Sequence, residues 1–487
     1  MLGIMQAFWT PRQIESILHA KIHSTDSNQT QLDSAITSIT TDSRRVKPGA
    51  LFVAIPGDQF DGHDFIPQAI AQGATAIICQ KPIQNLGQAI LFEVQSSLEA
   101  IRKLAAEYRN RFNIPIIAVV GAVGKTTTKE LLHSALQGKY KSVLKTEGSL
   151  NGFLGIPLTL LQLRTEHEAA VIEIGIDEIG AMDQHLVIVR PTHVILTKNG
   201  PEHLHQLKTV EIAASEELQA FEYARTHDLP MAVNLSDEYV WRWFRAHSAQ
   251  IQARSIITYS LQGQSPAGVL PSLSGEYHSQ DGLLMVHSAS GSDLYRCPLP
   301  GAHHAHNLLA AIAVAQQFGL SAEQIKKGLS TFKTAFGRTE TYQLDSGTTV
   351  IADYYNSNPT SMVAALTLLA DHSKTGQSHA VLGDMLELGH DEERFHRELA
   401  PQLLSRQISR VWLYGPRMKW LEAELLSTHP TDIKVQHFES HEALALELKK
   451  HVTPADRVLI KGSRGMKMEK VLEALTGKSI QKPTQEA

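Results

Sequence analysis

The sequence predicts an α/β protein of three domains. A small α/β N-terminal domain covers 1–112, a central domain on a mostly parallel, doubly wound sheet covers 113–333, and a Rossmann-like C-terminal domain covers 334–487. Three observations lead there. A chain of 487 residues holds about three domains at roughly 150 residues each. Short apolar runs ending in polar residues alternate with helical patterns, as buried parallel strands with working loops at their C-terminal ends do. A strand, a glycine turn and a helix open the central domain at 116–128.

From 1 to 112 short strands mix with helices, and Pro48-Gly49 and Pro56-Gly57 mark turns. Ile114-Pro115 begins the central domain, where the apolar run 116–120 leads through a glycine turn into a helix starting near Thr126. Apolar runs at 169–174 and 194–197 are further buried strands. Trp241-Arg242-Trp243-Phe244 is expected to pack in the core from a central-domain helix. The Ser-, Gly- and His-rich stretch 263–291 reads as loops or short antiparallel strands before a helix over 307–318, which Gly319 ends. Beyond 334 the alternation resumes, with strands at 349–352, 380–382, 411–414 and 457–460, a helix at 360–370 and a final helix. The polar tail 477–487 is expected to fray.

Charge and composition exclude several classes. Forty-five Lys and Arg against 50 Asp and Glu leave a formal charge of −5, without the basic excess of a nucleic-acid or polybasic membrane surface. With 43% apolar and 20% charged residues each domain can build its own core. Cys79 and Cys297 are too few for a disulfide framework or a thiolate metal site, which fits a reducing cytoplasm. The N-terminal stretch lacks the basic cluster, apolar run and cleavage site of an export signal. No apolar run approaches the ~18 residues of a membrane helix. A soluble, cytoplasmic monomer is expected, with no nucleic-acid partner and no integral membrane association.

The sharpest local signal is Gly121-Ala122-Val123-Gly124-Lys125-Thr126-Thr127 after the strand. Glycines let backbone wrap closely round phosphates, a helix N-terminus aims its N–H groups at them, Lys125 adds positive charge, and the Thr126 hydroxyl can ligate Mg²⁺. The central domain therefore reads as a P-loop ATPase domain. The spacing is GxxGKT rather than the full GxxxxGK[ST], and a ligand-free tight turn is the bland alternative. Glu173 ends an apolar strand and offers the hard oxygen that Mg²⁺ prefers, although a carboxylate at a strand end can simply be solvated. His203 follows the next strand, and in a chain with 24 histidines position alone favours packing or surface.

These residues resemble the Mur ligases, the ATP-dependent amide-bond ligases of peptidoglycan precursor synthesis, over nearly the whole chain. Thr41-Asp42-Ser43-Arg44-Arg45 through Ala54, followed by Phe60-Asp61-Gly62-His63-Asp64-Phe65, is similar to the family's uridine-nucleotide-binding domain. Asp353-Tyr354-Tyr355-Asn356-Ser357-Asn358-Pro359-Thr360-Ser361-Met362 resembles the DxYNANPxSM block of the branch that adds D-alanyl-D-alanine. Gly383-Asp384-Met385-Leu386-Glu387-Leu388-Gly389 and Lys461-Gly462-Ser463-Arg464 match two more blocks of that branch. The DNPR stretch of diaminopimelate-adding members is absent.

The resemblance implies a ligase that joins D-alanyl-D-alanine to the C-terminal carboxylate of UDP-N-acetylmuramoyl-tripeptide through an acyl phosphate, with ATP and Mg²⁺ as cofactors. It implies that Lys125 and Mg²⁺ hold the β- and γ-phosphates within the loop 121–127. Thr126, Glu173 and His203 become metal ligands, and Lys125, Glu173, His203 and Arg338 become catalytic. Asn307 becomes the adenine contact, with an N-cap as its alternative role, and Arg338 and Asp353 become ATP contacts from the C-terminal domain. Ser43, Arg44 and Asn151 fall in segments that face the muramoyl nucleotide. Tyr355, Asn356 and Asn358 offer neutral hydrogen-bonding groups for the dipeptide, although Asn358-Pro359 suits plain turn chemistry as well.

One departure bears on the metal site. The family's helix written AKxEL carries a lysine that is carbamylated to act as an extra carboxylate, and here Ala214-Ser215-Glu216-Glu217-Leu218 puts Ser215 at that position. Serine cannot form the carbamate, so Glu216 or Asp177 is expected to supply the charge. A Mur-type ligase for a different amine and a degenerate ATP-binding scaffold both stay open at this point.

Overall fold

In the computed structural model the described residues are 8–24, 31–57, 60–81, 83, 87–252, 256–372, 376–428 and 433–480. Residues 1–7 of the stretch read for an export signal and 481–487 of the polar tail lie outside them. The chain divides into two compact units. One comprises Met1–Ala118, Tyr140–Ile174 and Ala181–His193, the other Val119–Lys139, Gly175–Gly180 and Val194–Ala487.

In the first unit a five-stranded sheet runs in the order Lys21–His23, Ile90–Glu93, Ala74–Cys79, Ala50–Val53, Ser38–Thr40. Only the Lys21–His23 edge pairs antiparallel. Every side chain of Ala50–Val53 is buried, as in a parallel strand covered on both faces. The Pro48-Gly49 turn is present, with Gly49 at φ +83°, where an L-residue would be strained. Helix Ser97–Arg109 starts at Ser96, whose hydroxyl accepts the Glu99 N–H, and buries Ile101, Leu104 and Tyr108. The same unit contains the parallel pair Val143–Lys145 and Ala169–Glu173.

The strand Ile116–Val120 is fully buried, and within it the chain passes from the first unit to the second. The strand His193–Leu196, which enters the second unit at Val194, and the strands Met231–Asn234, Ile256–Leu261 and Leu273–His278 pair in parallel in that order. Leu283–Ser288 and Gly291–Arg296 then extend the sheet antiparallel, so the 263–291 stretch does hold antiparallel strands. The C-terminal sheet has six strands in the order Glu340–Gln343, Thr349–Asp353, Arg457–Lys461, Ser378–Gly383, Arg410–Tyr414, Lys434–Phe438, parallel after the first hairpin. Its core gathers Val350, Val381, Trp412, Leu448 and Ile460.

Two expectations need correction. The helix expected over 307–318 spans Ala302–Gln317, because the Ala- and His-rich run 302–306 continues it back to Gly301. Asn307 therefore lies inside the helix and is not its N-cap. Helix Glu238–His247 buries only Val240, and Trp241, Trp243 and Phe244 are half-buried. Trp243 lies 5.3 Å from Phe221 and stacks on His247, a packed flank rather than a core. Among the described residues no helix is long and apolar enough to cross a membrane.

Candidate active site

The glycine loop is locked from below. Gly121 has φ +119°, and a Cβ there would stand 2.5 Å from Thr197 Oγ1. That hydroxyl lies 2.7 Å from the Val123 carbonyl and 3.0 Å from that of Val120, with one proton to donate between them, while Ala122 and Val123 donate their N–H groups to the Lys198 carbonyl. Gly121 N–H donates to Glu217 Oε2 at 2.7 Å. Burial pushes the Glu217 carboxyl up to about 7; Lys125 and the Gly121 N–H oppose the rise, and Glu202 and Glu216 add to it.

Helix Lys125–Leu136 starts directly after Gly124, which is left-handed at φ +89° and so spares the helix a side chain at its mouth. The buried Lys125 ammonium donates to Glu202 Oε2 at 2.9 Å. Arg338 Nη2 reaches Thr126 Oγ1 at 3.4 Å, and its guanidinium lies 4.6 Å above the Tyr355 ring. Asp353 and Lys461, side by side in register on adjacent parallel strands, form a buried ion pair at 2.6 Å. Lys461 also donates to the Asn356 carbonyl, and its charge helps hold the Asp353 carboxyl below the usual range against burial.

Between these elements of the second unit lies a cavity of about 690 Å³. Val123, Gly124, Thr127, Asn307, Arg338 and Asp353 line it, all anticipated from the sequence, together with His303, His304, His306 and Lys461. Burial pushes His303 and His306 down to about 4 and His304 well below its ordinary value. The three rings are neutral donors and acceptors at neutral pH. His304 Nε2 bonds Thr339 Oγ1 at 2.9 Å, which itself lies 3.5 Å from Asp353 Oδ1. An apolar-walled cavity with a few convergent polar groups, beside a glycine loop and a lysine at a helix N-terminus, is built for a nucleotide.

His203 is left-handed at φ +50° and starts the short helix Leu204–Leu207. Its Nδ1 bonds Glu387 Oε2 at 2.7 Å, and its Nε2 faces Glu202 Oε1 at 3.9 Å. Burial pulls its pKa down, but the hydrogen bond its ring donates to Glu387 and the charge of Glu202 outweigh burial and raise it. Asn358 caps helix Pro359–His372: its Oδ1 accepts the Ser361 N–H at 2.8 Å, and Asn356 Oδ1 accepts the Ser357 N–H. Of the groups expected to meet the dipeptide, these two asparagines are engaged in shaping their own loop.

The first unit carries the others. Glu173 is buried at its strand end; its Oε1 accepts from Asn151 Nδ2 at 2.8 Å and its N–H donates to Thr146 Oγ1. Ser43 is buried and donates to Gln68, whereas Arg44 is exposed and forked onto Asp42. In the second unit Ser215 and Asp177 are exposed, and Glu216 Oε1 accepts the Gly180 N–H at 2.9 Å. Sequence reading assigned no role to Glu202, Glu217 or Lys461.

Comparison with known proteins agrees with this geometry. Three family models match in order: the Mur ligase family catalytic domain over 35–127, the Mur ligase middle domain over 119–315 and the Mur ligase glutamate ligase domain over 337–464. The UDP-N-acetylmuramoyl-tripeptide--D-alanyl-D-alanine ligase of Bacillus subtilis is 32% identical, across 90% of this chain and 93% of its own. A crystal structure of MurF from Acinetobacter baumannii superposes with a TM-score of 0.83 at 28% identity, covering 96% of this chain and 99% of that one. MurF from Thermotoga maritima in complex with ADP gives 0.76 at 25% identity, over 90% and 97%. The architecture is the three-domain α/β fold of these enzymes. This chain belongs to the Mur ligase family, in the branch of the MurF ligases.

Proposed function

We propose that the protein joins D-alanyl-D-alanine to the terminal carboxylate of UDP-N-acetylmuramoyl-tripeptide, splitting ATP to ADP and phosphate in peptidoglycan precursor synthesis. One observation carries the reading. Val123, Gly124 and Thr127 of the phosphate loop and the motif residues Arg338, Asp353 and Lys461 line one nucleotide-sized cavity, with Lys125 on the same loop. A carboxylate is a poor acyl donor, so the γ-phosphoryl group moves to it first, and the dipeptide amine then displaces phosphate from the acyl phosphate. The protein's part is positioning and charge neutralisation. Lys125 meets the β- and γ-phosphates, Arg338 meets the transferring group, Asn307 and the neutral histidines meet the base, and Asp353 with Lys461 holds the cavity's C-terminal wall.

Thr126, Glu173 and His203 are the assigned Mg²⁺ ligands. The hydroxyl and the carboxylate are hard donors, and Mg²⁺ takes few protein ligands because phosphate and water complete its shell. Among the described residues no group of three or more His, Cys, Asp or Glu converges as a metal cluster. When bound, Mg²⁺ neutralises phosphate charge. Ser43, Arg44 and Asn151 are assigned to the muramoyl nucleotide, and Tyr355, Asn356 and Asn358 to the dipeptide. We assign the domains as 1–112, 113–333 and 334–487, in a monomer working in the cytoplasm.

The test is phosphate release by purified protein with Mg·ATP, UDP-N-acetylmuramoyl-tripeptide and D-alanyl-D-alanine, omitting each in turn and weighing the product. Turnover that needs all three and yields the pentapeptide is expected. ATP binding without any acceptor-dependent turnover would refute it.

A further inference from the structure

Four ionisable side chains, basic and acidic in turn, run in a row at the mouth of the glycine loop: Lys125, Glu202, His203 and Glu387. Glu202 is the hub. Its Oε2 stands 2.9 Å from the Lys125 ammonium and its Oε1 3.9 Å from His203 Nε2, and its side chain is only 16% exposed. Glu387 holds the other nitrogen of the His203 ring at 2.7 Å. The segment that carries Glu202 is braced. Gly200 and Pro201 precede it, a Cβ on Gly200 would stand 3.0 Å from Thr360 Oγ1, and Asn199 is tied to Asp237 through both its N–H and its side-chain amide.

Of the two carboxylates expected to replace the missing charge, Asp177 is exposed and Glu216 accepts the Gly180 N–H, while Glu217, to which no role was assigned, accepts the Gly121 N–H beneath the loop. Ser215 itself faces solvent. Glu202 differs from them in touching the lysine assigned to the phosphates while facing the histidine assigned to the cation. A buried ammonium hydrogen-bonded to a carboxylate, beside a half-buried imidazole that Glu387 holds and Glu202 faces, is fixed in direction before any nucleotide arrives, and such preorganisation is where catalytic electrostatics gains its effect.

We propose that Glu202 is the positioning carboxylate of this site, supplying from the histidine loop the negative charge that Ser215 cannot provide and orienting Lys125 and His203 toward the phosphates. The inference rests on the ligase reading above. It acts through its neighbours and touches no reacting atom.

The experiment compares wild type, Glu202→Gln, Glu202→Asp, Glu202→Ala and Ser215→Ala. Steady-state ligation is measured with all three substrates, and ADP binding is measured by calorimetry with and without Mg²⁺. Glu202→Gln is expected to lower kcat about 100-fold with the KM for D-alanyl-D-alanine unchanged, and Glu202→Asp to recover at least a tenth of wild-type kcat. Formate in the cavity left by Glu202→Ala should restore turnover in a saturable way, which a folding role would not allow. Mg²⁺ should strengthen ADP binding at least fivefold less in Glu202→Gln than in wild type. Ser215→Ala should match wild type within twofold.

Turnover of Glu202→Gln within twofold of wild type would overturn the proposal, as would a folded Glu202→Ala that formate does not rescue. If wild type ligates nothing yet the Mg²⁺ effect on ADP binding falls as expected, the substrate reading fails and this one stands. If wild type ligates and Glu202→Gln is indistinguishable in both assays, only this one fails.

Discussion

Gly124 and Asn307 approach so closely that a Cβ on the glycine would stand 2.6 Å from Asn307 Oδ1. The last residue of the phosphate loop is thereby pressed against the helix that lines the cavity, at a backbone angle of φ +89° that an L-residue resists. Gly124→Ala is expected to push Asn307 out of the cavity wall and weaken ADP binding at least tenfold. Because the strain is local, far-UV circular dichroism should not change. Calorimetric titration with ADP checks it, and wild-type affinity in the variant would show that the contact relaxes freely.

Arg338 joins the C-terminal segment to the phosphate loop through Thr126 and is held flat against Tyr355. Its loss removes a cation placed for the transferring phosphoryl group, and groups of that kind are worth about 100- to 1000-fold in rate. Arg338→Ala should therefore lower kcat by about 100-fold. Arg338→Lys should recover little, since an ammonium lacks the planar fork and the stacking face. Equal kcat for the lysine variant and wild type would reduce the role of Arg338 to bulk charge.

Lys461→Met leaves Asp353 buried without its partner, and breaking one side of a buried pair costs about 3–5 kcal/mol. The double variant Lys461→Met with Asp353→Asn should regain most of that stability while staying defective in turnover. Urea denaturation followed by tryptophan fluorescence measures both, and Trp412 in the same core reports on the C-terminal sheet. A single variant as stable as wild type would show that water or another cation compensates.

Burial pushes His185, His193, His303, His306 and His379 down to about 4, aided by Arg102 at His185, and opposed by Asp353 at His303 and by Asp456 at His379. In the unfolded chain these rings titrate near ~6.5. Between those values the unfolded state binds protons that the folded state does not, so stability falls as pH falls. Stability from these groups is fully present above about 6.5 and drains away toward 4. Glu217, whose carboxyl burial pushes up to about 7, works in the opposite sense, one group against five; the urea midpoint should therefore change little from pH 8 to 7 and decline from 6 to 5. A midpoint constant to pH 5 would mean that the rings protonate in place.

Much of the fold was legible because its elements are local. The run 116–120 is apolar throughout and lies in a strand Ile116–Val120, and the final strand read at 457–460 is Arg457–Lys461. Helix Ala302–Gln317 was misjudged at its start because His303, His304 and His306 look polar in sequence, whereas burial keeps them neutral in the cavity wall. The Trp241–Phe244 cluster misled in the other direction: its aromatic content suggested a core position, but the helix packs with one narrow apolar stripe.

The sequence by itself determined the phosphate loop, the strand that feeds it and the motif blocks of the C-terminal domain. Each depends on backbone conformations and charges set within about a dozen residues. Only the tertiary structure decided which carboxylate serves which neighbour. Glu202, Glu216, Glu217 and Asp177 have similar chemistry along the chain, yet one holds Lys125, two accept backbone N–H groups and one faces solvent. Coulomb energy depends on distance and burial, and the separation of 77 residues between Lys125 and Glu202 closes to 2.9 Å only once the sheet is assembled.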